Sequence, residues 1–369
     1  MIGGTPHVVS PSPFYPSGFL PAAVSQAPDA VLVPSPQDKV APEQYHATTI
    51  FPEYFKISGQ WLLAKESRMD CVAVYENGNI SIREFRRLKK GDLVVVGRTE
   101  DASEGIFVYL DGFSAEESGS AEAFSFRQGR SRETAYSRDY DSLYDLLRHE
   151  KEHGYITWVL GPACAFDHDS RAAFSKLVQN GYVNALLAGN ALATHDLEAA
   201  YRKTALGQDI YTQKSQSNGH YNHIDTINRV RLDGSIPAFI EKEGIGDGII
   251  YSCVKKQVPF VLVGSIRDDG PLPEVYSDVY EGQNAMRECV KKSTTVICMA
   301  TTLHSIATGN MTPSYRVLAD GTIRPVYFYS VDISEFSVNK LRDRGSLCVK
   351  TIVTNVQDFV VNISKGLGL

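Results

Sequence analysis

YITWVLGPACAFDHDSRAAFSKLVQNGYVNALLAGNALATHDLEAA, residues 155–200, holds the pattern that decides the fold. YITWVLGPA is a near-continuous apolar run. DSRAAFSKLVQNG is an amphipathic helical stretch closed by Gly181, and VNALLAGNA is a second apolar run that feeds another helix. Strands apolar on both faces and separated by helices mean a parallel sheet covered on both sides. The alternation continues downstream. HYNHIDTINRVRLDGSIPAFIEKEG reads as helix in two pieces, and GIIYSCVKKQ leads into the strand VPFVLVGSI. STTVICMAT, VYFYSVDI and CVKTIVTNV supply three more strands, the last followed by a final helix. The expected fold class is therefore α/β, a Rossmann-like parallel sheet with helices on both faces, over residues 155–369.

Upstream the pattern differs. Residues 45–127 carry short runs rich in branched and aromatic residues (WLLAKE, CVAVYENGNISIREF, DLVVVGR), the mark of a small antiparallel β domain. Asn77-Gly78 between two such runs signals a hairpin, because a type I′ turn needs positive φ at both central residues. Residues 1–44 are Pro-rich and read as an extended arm, since proline blocks helix and central strand alike. Residues 128–154 read as linker and then helix, with Leu143, Leu146 and Leu147 on one face and a stop at Gly154.

The 369 residues are 43% hydrophobic and 22% charged, with a formal net charge of -6 and a pI near 5.9. That is ordinary globular composition. A mildly acidic balance argues against a nucleic-acid or anionic-membrane partner, which would want a basic patch. No apolar run approaches 18 residues, so no membrane span is expected. The start of the chain lacks the charged-then-apolar order of a signal peptide, so the expected compartment is cytoplasmic. Six cysteines, none in a CxxC pair, read as buried reduced thiols. The spacing of His168, His195, His220 and His223 does not suggest metal ligands, and no metal is expected.

Ligands of open parallel sheets bind beyond the carboxyl ends of the strands. Small and polar residues recur there: Gly161 and Pro162 after the first strand, then Gly189, Asn190 and Ala191, then Thr194, His195 and Asp196, after the second. Gly264, Ser265, Arg267, Asp268 and Asp269 follow the third strand, and Thr302, His304, Gly309 and Asn310 the fourth. Asp332, with Ile333 beside it, ends the fifth. A carboxylate at a strand tip suits the adenosine ribose hydroxyls of NAD and repels the extra phosphate of NADP, although it can equally cap the next helix, whose apolar face carries Phe336, Val338 and Leu341. No GxGxxG is present. LLAGNALATHD can replace it, because Gly189 permits close backbone approach and the helix amides behind it can face a phosphate. In SIRDDGPLPEV, Asp268 or Asp269 can move a proton and Arg267 can clamp a carboxylate, or the loop can satisfy itself as an Arg–Asp turn. His304 is open between acid/base work and a structural role.

LLAGNALATHDLEAA, PFVLVGSIRDDGPLPEV, ATTLHSIATGNMTPS and VDISEFSVNKLRDRGS resemble the conserved region named for lysine-oxoglutarate reductase/saccharopine dehydrogenase. That region occurs in archaeal-type ornithine cyclodeaminase and in the C-terminal part of cyanobacterial arginine dihydrolase/ornithine cyclodeaminase. TTIFPEYFKISGQW and ESRMDCVAVYENG resemble the family's small β domain. The resemblance covers roughly residues 45–369, and YRVLADGTIRP stands out as an insertion. It implies an enzyme that turns ornithine, or a related diamino acid, into proline, or a cyclic imino acid, and ammonia by transient hydride transfer to NAD. It also implies that Asn190, Ala191, Thr302, Leu303, His304 and Asp332 touch NAD. Asp268, Asp269 and Arg267 would lie nearest the substrate, with Met69, Asp70 and Cys71 closing over the site. An amino-acid or opine dehydrogenase and a non-catalytic NAD-binding module are the competing readings. The expected partner is a small amino acid, and a homo-oligomer is the base-rate expectation.

Overall fold

The computed structural model describes residues 24, 26–110, 113, 137–268, 270–334 and 348–369. Its centre is a seven-stranded sheet, parallel at every pairing. In chain order the strands are β1 (Ile156–Leu160), β2 (Ala185–Gly189), β3 (Phe260–Val263), β4 (Val275–Tyr276), β5 (Thr295–Met299), β6 (Tyr327–Asp332) and β7 (Cys348–Val353). The spatial order is β4-β3-β2-β1-β5-β6-β7. The order therefore reverses between β1 and β5, where Thr295 pairs with Ile156 and Met299 with Leu160. This is the doubly wound arrangement that the apolar runs predict. The two-residue edge strand β4 was not expected, because PLPEVY has neither the length nor the apolar continuity of a buried strand.

Helices α1 (Ser137–His153), α2 (His168–Gln179), α3 (Asn190–Arg202), α4 (His220–Asp233), α5 (Ile236–Lys242), α6 (Ile249–Lys256), α7 (Val279–Val290), α8 (Thr302–Met311) and α9 (Val356–Gly366) cover the sheet. Alternate strand residues feed opposite faces. Trp158, Leu160, Leu186 and Ile297 pack with Leu143 and Leu147 of α1, Phe174 of α2 and Phe359 of α9. Val159, Leu187, Val296 and Cys298 pack the other way, with Met286 and Val290 of α7 and Met311 of α8. All six cysteines are buried and free. Among the described residues no helix is long and apolar enough to cross a membrane, and no group of His, Cys, Asp or Glu is placed to hold a metal ion.

The N-terminal region is antiparallel throughout. One sheet has the order Val31–Pro34, Leu93–Val96, Val72–Glu76, Asn79–Arg83, and another has Gln60–Leu63, Glu53–Ile57, Ile106–Val108. Asn77 (φ 51°) and Gly78 (φ 78°) turn the expected hairpin. Residues Val31–Pro34 of the Pro-rich stretch form an edge strand, where a terminal proline is tolerated. The apparent insertion is a hairpin of Tyr315–Val317 and Ile323–Pro325 whose first strand pairs with Glu66–Ser67. It ties the β region to the chain between α8 and β6. Arg324 in this hairpin also forms a buried ion pair at 2.7 Å with Glu150 of α1.

Candidate active site

The loops after β1 and β5 meet at the reversal of strand order. The Gly161 amide donates to the Met299 carbonyl at 2.8 Å. A Cβ on Gly161 would lie 1.8 Å from the Ala300 carbonyl oxygen. Glycine is required there by space. Its neighbour Ala300 adopts the left-handed conformation at φ 53°, which alanine enters at a cost. Pro162 opens a 3₁₀ turn, Pro162–Ala165. Two helix N-termini flank this point. α3 starts directly after Gly189 and α8 directly after Thr301, and neither N-cap residue caps its helix with its own side chain. By contrast Asp167, Ser235, Asp278 and Asn355 cap α2, α5, α7 and α9, and Asp196 receives the first amides of α6.

His304, in the first turn of α8, spans the gap to β2 and β3. A Cβ on Gly189 would sit 3.0 Å from its Cε1. Its ring hydrogen-bonds the Val263 backbone carbonyl, while Nδ1 lies 3.4 Å from the Thr301 hydroxyl. Burial pulls the imidazole below its ordinary value, against the Val263 carbonyl and the Asp268 charge. A ring with both nitrogens occupied is well placed to orient neighbours and poorly placed to carry a substrate proton.

Asp268 is held by its own loop: its Oδ2 accepts from the Ser265 amide at 2.7 Å, and the Arg267 amide donates to the Ser265 hydroxyl at 3.3 Å. Arg267 is exposed. Asn190 is buried, and its side-chain oxygen accepts from the Leu272 amide at 3.1 Å, so it anchors the far end of the same loop. Asp332 stands partly exposed at the tip of β6, accepting from the Ser334 amide at 2.8 Å. Ile266, Leu303 and Ile333 are exposed apolar side chains on these same loops and turns. Asp269 and the stretch containing Phe336, Val338 and Leu341 lie outside the described residues.

The fold thus brings Gly161, Pro162, Gly189, Asn190, Ala191, Thr302, Leu303, His304, Asp332, Ile333, Arg267 and Asp268 to the carboxyl end of the sheet. It places the remaining residues elsewhere. Gly309 and Asn310 sit in the last turn of α8, roughly 10 Å along the helix from its first turn. There they join Met69, Asp70 and Cys71 around a cavity of about 430 Å³ between the β region and α7 and α8. Thr194, His195 and Asp196 turn inward within α3: Asp196 pairs with buried Arg171 at 2.8 Å, and His195 meets Glu198 at 2.9 Å. Sequence reasoning missed Glu84 and Arg287, which face each other across the seam. The signal was the i, i+3, i+7 spacing of Tyr280, Gln283 and Arg287 on one face of α7.

A doubly wound sheet, a tight glycine contact at its switch point and two uncapped helix N-termini define the class as a Rossmann-fold domain of the nucleotide-binding kind. The comparisons narrow it. The family model described as arginine dihydrolase ArgZ-like, C-terminal, Rossmann fold, matches residues 143–363, and the first region of the same C-terminal part matches 52–134. An ornithine cyclodeaminase of Methanothermobacter thermautotrophicus is 38% identical over 93% of this chain and 80% of its own length. The bifunctional arginine dihydrolase/ornithine cyclodeaminase AgrE of Nostoc is 34% identical over 92% of this chain and 47% of its own. Among solved structures, a conserved LOR/SDH protein from Methanococcus maripaludis superposes with a TM-score of 0.82 at 34% identity, covering 92% of this chain and 98% of that one. The complex of AgrE with ornithine and NAD+ matches with a TM-score of 0.59 at 32% identity, covering 95% and 47%. The chain belongs to the ornithine cyclodeaminase family of ArgZ-like C-terminal regions.

Proposed function

We propose that this protein binds NAD at the carboxyl end of its parallel sheet and converts ornithine to proline and ammonia. The observation that carries the reading is the convergence at the switch point: Gly161 against Ala300, with the uncapped starts of α3 and α8 on either side. The names of the archaeal relatives and the AgrE complex with ornithine and NAD+ support it.

The residues present fit a dinucleotide. Uncapped helix amides suit a pyrophosphate, Asp332 suits ribose hydroxyls, and the apolar side chains of Leu303, Ile333 and Ile266 can cover rings. Bound NAD supplies reversible two-electron acceptance, which lets the overall reaction be redox-neutral. The protein's own groups do the rest. Arg267 clamps the substrate carboxylate. Asp268, fixed by the Ser265 amide, takes a proton from the α-ammonium and returns it to the departing amine. The δ-amine of the substrate closes the five-membered ring at the α-carbon. Asn190 holds the loop that carries Arg267 and Asp268, and His304 fixes Gly189 and Val263 beneath the site.

Ornithine deuterated at the α-carbon tests the reading. Proline that keeps the deuterium at its α-carbon, formed with one equivalent of ammonia, is the expected product. Accumulating deuterated NADH would identify a dehydrogenase, and absence of turnover with bound NAD would remove ornithine as substrate.

A further inference from the structure

The seam between the β region and the α7–α8 face holds chemistry that the proposed reaction does not use. Both helices run from the carboxyl to the amino end of the sheet, and Arg287 and Asn310 lie near their far ends. The cavity runs along α7 from Tyr280 in its first turn to Arg287 in its last, so its Arg287 end lies toward the amino end of the sheet.

Arg287 is 2% exposed. One end of its guanidinium pairs with Glu84, and Arg68 pairs with the same carboxylate. Among the described residues, Arg287 Nε and Nη1 have no hydrogen-bond partner. Arg68 reaches across the seam to the Asn310 carbonyl at 3.2 Å. Arg86 donates to the Asn284 side chain at 2.9 Å and lies over the Tyr280 ring. The cavity of about 430 Å³ and the smaller one beside it are lined by Arg68, Arg86, Arg87, Arg287 and Lys291, against the carboxylates Glu66, Asp70 and Glu84. A buried guanidinium with unused donors, in a seam short of negative charge, calls for an acceptor. Burial and the neighbouring arginines push Arg287 down to about 10, with Glu84 alone among its leading influences opposing them. A second anion would relieve the same deficit.

We propose that this seam is a binding site for a small oxyanion, a phosphate or a carboxylate, gripped by Arg287 from α7 and by Arg68 and Arg86 from the β region. Guanidinium forks match both groups. Because the donors come from both sides, the anion would clamp the two parts of the chain together. Arg287 and Arg68 hold the end of the seam toward the amino end of the sheet, and binding there is read without turnover of the reaction assigned to the carboxyl edge.

The test uses the full chain, with inorganic phosphate and succinate as probes and sodium chloride at equal ionic strength as reference. Thermal unfolding and isothermal titration are the readouts. At about a hundredfold excess over Kd, one of the probes raises Tm by about 3 °C above chloride. Arg287→Gln abolishes the rise. Because that change touches a buried group, Arg86→Ala serves as the second variant: it weakens binding by about tenfold and leaves the ligand-free Tm within about 1 °C. A response to phosphate alone assigns a phosphate, and a response to succinate alone assigns a carboxylate. The proposal is overturned if neither anion exceeds chloride, as a buried water beside Arg287 would give, or if wild type and both variants respond alike.

Discussion

Gly161→Ala probes the switch point directly. The new Cβ would lie 1.8 Å from the Ala300 carbonyl oxygen and 2.5 Å from its carbon, both backbone atoms. Real Cβ contacts essentially never fall under 3.0 Å, so the loops after β1 and β5 must part by roughly 1.2 Å, a forced expansion that typically costs about 1–3 kcal/mol. For a chain of this length that lowers Tm by about 1–4 °C, so the protein stays folded. The same displacement moves Thr302 and the first amides of α8 away from the phosphate they would hold. Loss of charge-assisted hydrogen bonds of about 1.5–3 kcal/mol each weakens NAD binding by about 10- to 100-fold, and misplacement by about 1 Å lowers turnover by about 100-fold. Nucleotide titration by intrinsic fluorescence, circular dichroism melting and an ammonia assay read the three effects. Gly246→Ala, with nothing within 4 Å of its Cβ and no positive φ, is the control and should be silent. If Gly161→Ala bound NAD within twofold of wild type, the switch point would not be the nucleotide site.

Asp332→Asn should weaken NAD binding by about 5- to 30-fold and narrow the preference over NADP, measured by titration with both nucleotides. Asn190→Ala removes the anchor of the Leu272 amide and should raise KM for ornithine by about 5- to 30-fold while changing NAD affinity much less. His304 lies below its ordinary value of 6.5 because of burial. The native state therefore binds fewer protons than the unfolded state, and the stability the ring contributes is complete above about pH 6.5 and is lost as pH falls through the folded value. His304→Gln should accordingly flatten part of the decline in Tm between pH 7 and 5. Asp196→Ala leaves Arg171 buried without its partner, as well as the Ile249 and Ile250 amides. It should cost about 3–5 kcal/mol and lower Tm by about 4 °C or more, with ligand affinities intact where the protein folds.

The parallel sheet was legible because β1, β2 and β5 are buried at every or nearly every position and so appear as unbroken apolar runs. The Asn77-Gly78 turn was legible because its backbone demands those residue types. β4 was not, since two residues carry no periodicity, and neither was the pairing of YRVLADGTIRP with Glu66–Ser67, which joins positions some 250 residues apart. The carboxyl-end rule collected Gly161, Gly189, His304 and Asp332 correctly as neighbours of one edge. It failed at TTLHSIATGN, because a motif contiguous in sequence spans a whole helix and its two ends serve different surfaces. Asn190 shows another limit: its position after β2 was readable, but only the folded loop reveals that its side chain holds Leu272. Arg287 was hidden by its setting in AMRECV, where an arginine among buried residues looks like the solvent face of an ordinary helix.

The most direct measurement is release and identification of the nucleotide from purified protein, followed by incubation with ornithine while ammonia, proline and NADH are measured together. The account predicts bound NAD, with ammonia and proline formed in equal amounts and no accumulation of NADH. A protein that neither carries nor binds NAD would contradict it.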